Sequence, residues 1–323
     1  MSKTILVTGS SGFIGTNLVG LLLKQGHVVI GIDNFSSSEK WKSEIYKDNP
    51  NYYFFEVDIA EKDELDRLLG QFQKVDEIYN LACPASPPRY MNLSLETITV
   101  NTEGMMNILE IAKRYGAKVL HTSTSEIYGD PLVHPQHEDY RGNVNTIGPR
   151  SCYDEGKRIS ETICYEYHRL FNLDIKIVRI FNTYGPFMDP QDGRVITNFV
   201  LQALNNEDIT IYGDGSQTRS FQYIDDLLDG MIRYMERDIP FQAINIGNPE
   251  EFTILELAEM VIKMTNAKSK IIFCDLPKDD PKQRKPDISK AMKLLDWRPR
   301  VRLEEGLTEI IVYYKIKYYG ILV

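Results

Sequence analysis

The chain has 323 residues, of which 42% are hydrophobic, and its formal net charge is −9. This length and content suit one large globular domain or two unequal ones. Because the charge is negative and no long Lys/Arg block occurs, we expect no nucleic-acid partner. No apolar run reaches the roughly 18 residues of a membrane helix. We also expect no signal peptide, because no basic segment and apolar stretch come before the first strand. We therefore predict a cytoplasmic protein that does not associate with a membrane.

The cysteines show no pattern typical of a metal or redox site. Cys83, Cys152, Cys164 and Cys274 form no C-x-x-C, and the five histidines show no metal-ligand spacing beside them. We predict that the protein holds no metal and that these cysteines are small buried hydrophobes in a reducing compartment.

The N-terminal stretch predicts a dinucleotide-binding turn. The apolar run 5–7 is typical of a buried parallel strand. Three glycines follow it at the spacing G-x-x-G-x-x-G, namely Gly9, Gly12 and Gly15. They permit a tight turn and close phosphate approach to the next helix. A glycine triplet alone is a weak signal, but the next strand, 27–32, ends at Asp33, where an acid binds the ribose hydroxyls of NAD and repels the extra phosphate of NADP.

The following elements alternate. We predict strands at 52–57, 76–82, 118–121 and 173–179, and helices at 61–72, 97–115 and 151–171. This alternation predicts a doubly wound parallel α/β (Rossmann) sheet. Ligands bind beyond the carboxyl ends of such strands. Asp58, the proline-rich loop 83–90 and the stretch after strand five are therefore candidate site segments.

Beyond residue 186 the alternation loosens. We predict an NAD-binding domain over 1–186, with a returning segment near 218–248, and a smaller C-terminal substrate-binding lobe over 187–323. The polar stretch 130–150 is a long loop, which in a compact domain is usually functional or mobile.

Within the remaining chain we predict several further elements. They are helices at 198–204 and 226–236, strands at 209–212 and 243–247, and a helix at 254–264. Thr253 and Glu256 predict a capping box at the start of that last helix.

Tyr153 and Lys157 are the candidate catalytic pair. Their i, i+4 spacing places them on one helix face. A lysine ammonium favours phenolate and lowers the pKa of the tyrosine, which then can serve as the base in a hydroxyl-to-ketone oxidation that passes hydride to NAD. Such a pair is usually structural, but this one follows a dinucleotide turn and a Thr/Ser cluster.

The stretch after strand five supplies further candidate groups. The hydroxyl of Thr124 or Ser125 can hydrogen-bond the oxygen being oxidised, and the carboxylate of Glu126 can position a sugar hydroxyl or handle a second proton. A different interpretation of this stretch is a capped loop with a solvated glutamate.

Together these motifs resemble the extended short-chain dehydrogenases/reductases that act on nucleotide sugars. Within them the chain is most similar to the UDP-glucuronic acid decarboxylase family. The stretches that carry this similarity are 81–87, 122–130, 150–158, 181–186, 215–222 and 279–287.

The resemblance implies a redox-neutral cycle. Tyr153, assisted by Thr124 and Lys157, deprotonates the C4 hydroxyl while the C4 hydride passes to NAD. The 4-keto sugar loses its C5 carboxylate as carbon dioxide, C5 is protonated and the hydride returns to C4. The product is UDP-xylose.

The resemblance also implies residue roles. Glu126 positions the sugar, Arg284 and Tyr90 lie near the substrate carboxylate, and Asn182 and Arg219 hold the UDP diphosphate. Further implied cofactor-binding residues are Phe13, Ile14, Asn34, Asp58, Ile59 and Leu81. Further implied substrate-binding residues are Arg194, Asn198 and Tyr212.

One position departs from the family. Thr99 stands where these proteins often have a lysine that reaches the substrate, and Arg89 is our candidate to supply that positive charge. The family is typically dimeric, which implies a homodimer formed through the helices at 97–115 and 151–171.

The sequence also leaves several different activities open. A nucleotide-sugar 4,6-dehydratase needs an acid beside the leaving hydroxyl and has Thr-Asp-Glu after strand five, whereas this chain has Ser125 at the middle position. A C4 epimerase ranks after the dehydratase, and UDP-apiose formation is a further possibility within the decarboxylase chemistry. A non-catalytic NAD-binding protein is disfavoured, because Tyr153 and Lys157 are both present.

Overall fold

The computed structural model describes residues 1–275 and 283–320. Its strands are β1 (Thr4–Thr8), β2 (Val28–Asp33), β3 (Tyr52–Glu56), β4 (Glu77–Asn80), β5 (Lys118–Thr124), β6 (Ile175–Ile180), β7 (Thr183–Tyr184), β8 (Ile209–Tyr212), β9 (Thr218–Ser220), β10 (Gln222–Tyr223), β11 (Ala243–Ile246), β12 (Glu251–Thr253), β13 (Ile271–Cys274) and β14 (Gln283–Arg284).

The helices, in the same order, are α1 (Phe13–Lys24), α2 (Lys62–Leu69), α3 (Pro87–Asn92), α4 (Ser94–Thr99), α5 (Met105–Tyr115), α6 (Ser151–Phe171), α7 (Val195–Leu204), α8 (Ile224–Glu236), α9 (Ile254–Thr265), α10 (Ser289–Leu295) and α11 (Leu303–Tyr319). Single turns of other helical types occur at Lys40–Lys42, Val100–Gly104 and Ser125–Tyr128.

Seven strands form the main sheet, in the order β11-β6-β5-β4-β1-β2-β3. β1 pairs in parallel with both β2 and β4, and the pairs β2–β3 and β4–β5 are also parallel. The strand order reverses direction at β1, because the chain first runs out to β3 and then continues from β4 towards the opposite edge. The predicted doubly wound parallel α/β fold is therefore confirmed, and ligands bind such sheets at the carboxyl ends of β1 and β4.

The main core lies between this sheet and its helices. Helix α5 presents its apolar face because its apolar residues recur at three- and four-residue spacing. Gly116 then ends the helix in the left-handed region, with a φ of +66°. The buried side chains shared by four neighbouring strands and α5 are Leu6, Ile30, Ile78, Val119, Met105, Ile108, Leu109 and Ala112. Burial of one such large side chain contributes about 1.5–3 kcal/mol.

The chain forms two compact units. The first combines Met1–Ile127, Asn145–Arg179 and Met231–Ile244, and the second contains the rest. The second unit has a three-stranded sheet in the order β12-β9-β14 and two pairs, β10-β7 and β13-β8. The domain boundary proposed from the sequence stays a prediction.

The helix predicted at 97–115 is interrupted. It begins at Ser94 and contains a wider π-type turn at Val100–Gly104. Asn101 Nδ2 donates to the Thr97 carbonyl at 2.7 Å, which is the acceptor that the main-chain N–H of residue 101 would use in an α-helix. The side chain therefore competes with the regular main-chain bond.

The proline-rich stretch was wrongly predicted to be a loop throughout. Helix α3 begins at Pro87 and carries Tyr90. Prolines fit the first turn of a helix because the missing N–H has no partner there in any case. Strand β5 extends to Thr124, so this residue ends the strand instead of following it.

Smaller differences occur elsewhere. Helices α7 and α8 begin at Val195 and Ile224, a few residues before the predicted starts. Cys274 is exposed at the end of β13, so its predicted burial is wrong, whereas Cys164 is buried. The predicted capping box of Thr253 and Glu256 at the start of α9 is confirmed.

Candidate active site

The turn between β1 and α1 has no room for a side chain at Gly15, and it holds Gly9 in a backbone conformation that favours glycine. A Cβ on Gly15 would lie 2.0 Å from the Gly9 carbonyl oxygen, and Gly9 has a φ of +65°. Gly12 precedes α1 and has no side chain to cap it, so the first N–H groups of α1 are left for an anion. Ser11 Oγ is buried without a hydrogen-bond partner among the described residues. These features fit the predicted binding of the dinucleotide pyrophosphate at this turn.

Asp33 ends β2 and holds the glycine turn. Its Oδ2 accepts the N–H of Ser11 at 2.9 Å. Its Oδ1 accepts the N–H of Phe35 at 2.9 Å and the hydroxyl of Ser38 at 2.7 Å. Burial raises the pKa of Asp33, although these donors favour its charged form. This anchoring role of Asp33 was not predicted from the sequence, and its ribose contact stays a prediction.

The remaining predicted cofactor residues lie at neighbouring strand ends. Asn34 Nδ2 donates to Asp58 Oδ2 at 2.8 Å, which joins the segments after β2 and β3. Ile59 is buried, and Leu81 follows β4 with its N–H directed to the Thr8 carbonyl at 3.3 Å. The first two residues of α1 are Phe13 and Ile14, both half-buried.

Tyr153 and Lys157 lie on α6, as predicted. Lys157 is 3% exposed, and its Nζ donates to the Thr122 carbonyl at 2.9 Å and lies 6.0 Å from the centroid of the Tyr153 ring. The Tyr153 ring stacks on that of Tyr90, with centroids 4.8 Å apart and planes inclined by 8°. The lysine is thus fixed beside a phenol whose ring is itself packed.

The end of β5 supplies the polar groups predicted for this site. Thr124 and Ser125 are buried, and the Glu126 N–H donates to Thr124 Oγ1 at 3.2 Å. The Glu126 carboxylate pairs with Arg150 directly before α6, with Nη2 and Oε2 2.9 Å apart. Arg150 was given no role from the sequence, although a cation just before the catalytic helix was a visible signal.

Three cationic side chains attach α6 to this segment. Lys157 binds the Thr122 carbonyl, Arg150 binds Glu126, and Arg158 Nη1 donates to the Ile127 carbonyl at 2.9 Å. They therefore hold the strand end and the catalytic helix in one arrangement.

A series of buried polar side chains connects Thr8 to the main chain of Lys157. Thr8 Oγ1 donates to Asn80 Oδ1 at 2.7 Å, and Asn80 Nδ2 lies 3.4 Å from His121 Nδ1. His121 Nε2 lies 2.7 Å from Ser160 Oγ, which donates to the Lys157 carbonyl at 2.8 Å. The donor directions assign neutral His121 with its proton on Nε2. Burial, assisted by the Lys157 charge, places the pKa of His121 well below its usual value.

The two predicted substrate arginines of the second unit lie on adjacent strands. Arg219 on β9 and Arg284 on β14 are register partners, so both side chains leave the same face of that sheet. Arg284 is buried. Gln136 holds the next residue, since its Oε1 accepts the Lys285 N–H and its main-chain N–H donates to the Lys285 carbonyl, both at 2.9 Å.

The other predicted substrate residues of this unit lie on separate elements. Asn182 lies between β6 and β7, Arg194 and Asn198 lie at the start of α7, and Tyr212 is exposed at the end of β8. Arg89 lies half-buried on α3 of the first unit. Their contacts with substrate stay predictions.

Part of one resemblance stretch, from Asp279 to Lys282, lies outside the described residues. Within residues 1–275 and 283–320, no group of three or more His, Cys, Asp or Glu side chains could hold a metal ion. Over those same ranges, the helices are all too short or too polar to span a bilayer.

Comparison with known proteins gives matches along nearly the whole chain. A sequence model of the GDP-mannose 4,6 dehydratase family matches residues 6–310. UDP-glucuronic acid decarboxylase 1 of Danio rerio is 48% identical over 97% of this chain and 72% of its own length. UDP-glucuronic acid decarboxylase 6 of Arabidopsis thaliana is 50% identical over 94% of this chain and 86% of its own.

A solved structure extends the similarity to three dimensions. UDP-glucuronic acid 4-epimerase from Bacillus cereus, in complex with UDP-glucuronic acid and NAD, superimposes with a TM-score of 0.87 and 33% identity, over 98% of this chain and all of that one. These matches, together with the glycine turn and the Tyr153–Lys157 pair, show that the chain belongs to the UDP-glucuronic acid decarboxylase family of extended short-chain dehydrogenases/reductases.

Proposed function

We propose that this protein converts UDP-glucuronate to UDP-xylose and carbon dioxide, with NAD as its cofactor. The observation that carries the proposal is the attachment of the segment 122–126 to the helix of Tyr153, by Lys157 at the Thr122 carbonyl and by Arg150 at Glu126. It occurs in a chain that is 48–50% identical to UDP-glucuronic acid decarboxylases.

The residues of the first unit fit NAD. The N–H groups at the start of α1 suit its pyrophosphate, and the buried Asp33 suits a ribose and disfavours a ribose phosphate. NAD held by these residues would supply the hydride acceptor for oxidation of C4 and the hydride donor for its later reduction.

Tyr153 acts as the general base at the C4 hydroxyl. Its ring is held by Tyr90, and the ammonium of Lys157, fixed on the Thr122 carbonyl, favours the phenolate form. Thr124 ends β5 beside the same helix, and its hydroxyl hydrogen-bonds the C4 oxygen.

Carbon–carbon cleavage follows from the ketone. With C4 oxidised, the C5 carboxylate belongs to a β-keto acid. The C5–carboxyl bond breaks, carbon dioxide leaves, and the electron pair moves into the ketone as an enolate. A proton is then added at C5, and Tyr153 returns its proton to the C4 oxygen when C4 is reduced. The balance is UDP-glucuronate plus one proton giving UDP-xylose plus carbon dioxide.

A 4,6-dehydratase is the second candidate, and the site disfavours it. Loss of the C6 hydroxyl needs a carboxylic acid beside it, and this chain has buried Ser125 at the position where dehydratases carry aspartate. A serine hydroxyl is a far weaker acid than a carboxylic acid.

The substrate's negative groups are assigned to the second unit. Arg219 and Arg284, on one face of the same sheet, suit the diphosphate and the sugar carboxylate, since guanidinium groups bind such oxygens in a bidentate way. Asn182, Arg194, Asn198 and Tyr212 complete the proposed substrate residues.

We also propose a homodimer. Large apolar side chains are exposed in or next to the two helices predicted to form the interface, 97–115 and 151–171. Among them are Leu95, which is 74% exposed, Ile98, Met106, Ile159 and Tyr165. Such exposure suits a protein–protein interface. Light scattering on the purified protein tests this, and a monomer at micromolar concentration contradicts it.

A cytoplasmic location is proposed because the four cysteines are unpaired, and cell fractionation tests it.

The activity is tested by incubating the purified protein separately with UDP-glucuronate, UDP-glucose and dTDP-glucose and weighing the products by mass spectrometry. We expect UDP-glucuronate alone to lose the mass of carbon dioxide and NMR to identify xylose. Loss of water from a glucose nucleotide, with UDP-glucuronate untouched, would establish a dehydratase instead. Tyr153→Phe is the inactive control.

A further inference from the structure

We propose that Arg150 is a positioning residue that holds the Glu126 carboxylate ionised and directed into the active site. The inference rests on the proposed function, because Glu126 is there the carboxylate that positions the sugar. Arg150 Nη2 lies 2.9 Å from Glu126 Oε2, and the two side chains are 18% and 16% exposed. This pair is far less hydrated than an ordinary surface ion pair.

Arg150 links Glu126 to the catalytic helix. Its carbonyl oxygen accepts the N–H of Tyr153 at 3.0 Å and that of Asp154 at 3.1 Å, in the first turn of α6. Its side chain reaches back to Glu126, whose own N–H donates to Thr124 Oγ1. The main chain of Arg150 therefore contacts the helical turn that carries Tyr153, and its side chain contacts the turn that carries Glu126.

The chemistry of the pair explains why an arginine is needed. A carboxylate that is largely removed from water takes up a proton or turns towards solvent unless a nearby cation compensates its negative charge. The guanidinium group is always charged and presents a rigid planar fork, which fixes both the charge and the direction of the partner. A lysine would keep the charge and lose much of the direction.

Arg150 is expected to act on turnover rather than on binding. Glu126 is expected to orient the sugar ring as C4 is oxidised, so a misdirected or protonated Glu126 lowers kcat. In this proposal, Arg150 acts through Glu126. Its removal should therefore have little further effect once Glu126 has lost its charge.

The test is a double-mutant cycle on the full-length protein. Arg150→Gln, Glu126→Gln and the double variant are assayed for UDP-xylose formation, with kcat and KM measured separately. We expect Arg150→Gln to lower kcat about tenfold or more with KM within about threefold, and to change kcat less than about twofold in the Glu126→Gln background. Arg150→Lys should recover part of kcat.

The matched control is Arg169→Gln. Arg169 lies on the same helix and pairs with Glu166 at an exposed position, so its loss should leave kcat and KM unchanged. Should Arg150→Gln fail to fold, the cycle is run with Arg150→Lys.

Two kinetic results would overturn the proposal. Equal effects of Arg150→Gln with and without Glu126 would show that Arg150 acts independently. A rise in KM at unchanged kcat would show that it binds substrate directly. If the wild type does not decarboxylate UDP-glucuronate, the proposed function fails, and the same cycle is then measured on urea unfolding. If the effects of the two substitutions on the unfolding equilibrium constant then depend on each other by less than about threefold, the pairing of Arg150 with Glu126 is refuted.

Discussion

Tyr90 allows ring packing to be separated from direct substrate contact. Its ring stacks on Tyr153 with centroids 4.8 Å apart. An aromatic pair of this kind is worth about 0.5–1.5 kcal/mol beyond its buried area. If the stack holds the phenol of Tyr153 in its productive orientation, loss of the stack lowers the fraction of Tyr153 side chains in that orientation by about 2- to 13-fold. We expect Tyr90→Leu to lower kcat by that factor and to leave KM for UDP-glucuronate unchanged.

The matched variant is Tyr90→Phe, which keeps the ring and removes only the hydroxyl. Steady-state UDP-xylose formation gives kcat and KM separately, and thermal unfolding checks that both variants fold. Tyr90→Phe should keep kcat within about twofold of the wild type, because the stacked pair is retained. A rise in KM that is equally large in Tyr90→Phe and Tyr90→Leu would refute the reasoning, since the hydroxyl would then bind the substrate carboxylate, as the family resemblance implies.

Three further predictions concern other parts of the first unit. Gly15→Ala places a Cβ 2.0 Å from the Gly9 carbonyl oxygen, so we expect a lower melting temperature and less retained NAD; unchanged retention would mean that the turn does not bind it. Tyr153→Phe should lower kcat by about 10²–10⁴-fold with NAD retention unchanged, and near-normal turnover would exclude Tyr153 as the base. His121 has a lowered pKa, so the unfolded chain binds its proton first as the pH falls. The stability it contributes is complete above about pH 6.5 and declines below it by up to about 1.4 kcal/mol per pH unit. Urea unfolding of wild type and His121→Gln at several pH values measures this, and parallel curves would contradict it.

Features set by neighbouring residues were predictable. The spacing of Gly9, Gly12 and Gly15 after a buried strand predicted the turn into α1, because a side chain at Gly15 would overlap the main chain and Gly9 has a positive φ. The i, i+4 spacing of Tyr153 and Lys157 predicted a shared face of α6, and the capping box at Thr253 predicted the start of α9. The strand–helix alternation predicted the doubly wound parallel sheet.

Local propensity misled the prediction at two positions. The sequence around Asn101 is typical of a regular helix. In the structure its amide binds the Thr97 carbonyl and Cys83 Sγ, and the helix widens there. Pro87 was interpreted as ending regular structure, yet it begins α3, because proline is compatible with the first helical turn.

By itself, then, the sequence determined which elements form and which of them carry the candidate groups, since a helix or strand and its apolar face depend on residues a few positions apart. The partners of those groups were decided by tertiary structure alone. Tyr90 meets Tyr153, Arg150 meets Glu126, and Arg219 lies opposite Arg284 only after distant segments pack together. Such contacts depend on strand register and helix placement, which the packing of the whole core fixes and no local pattern of residues encodes.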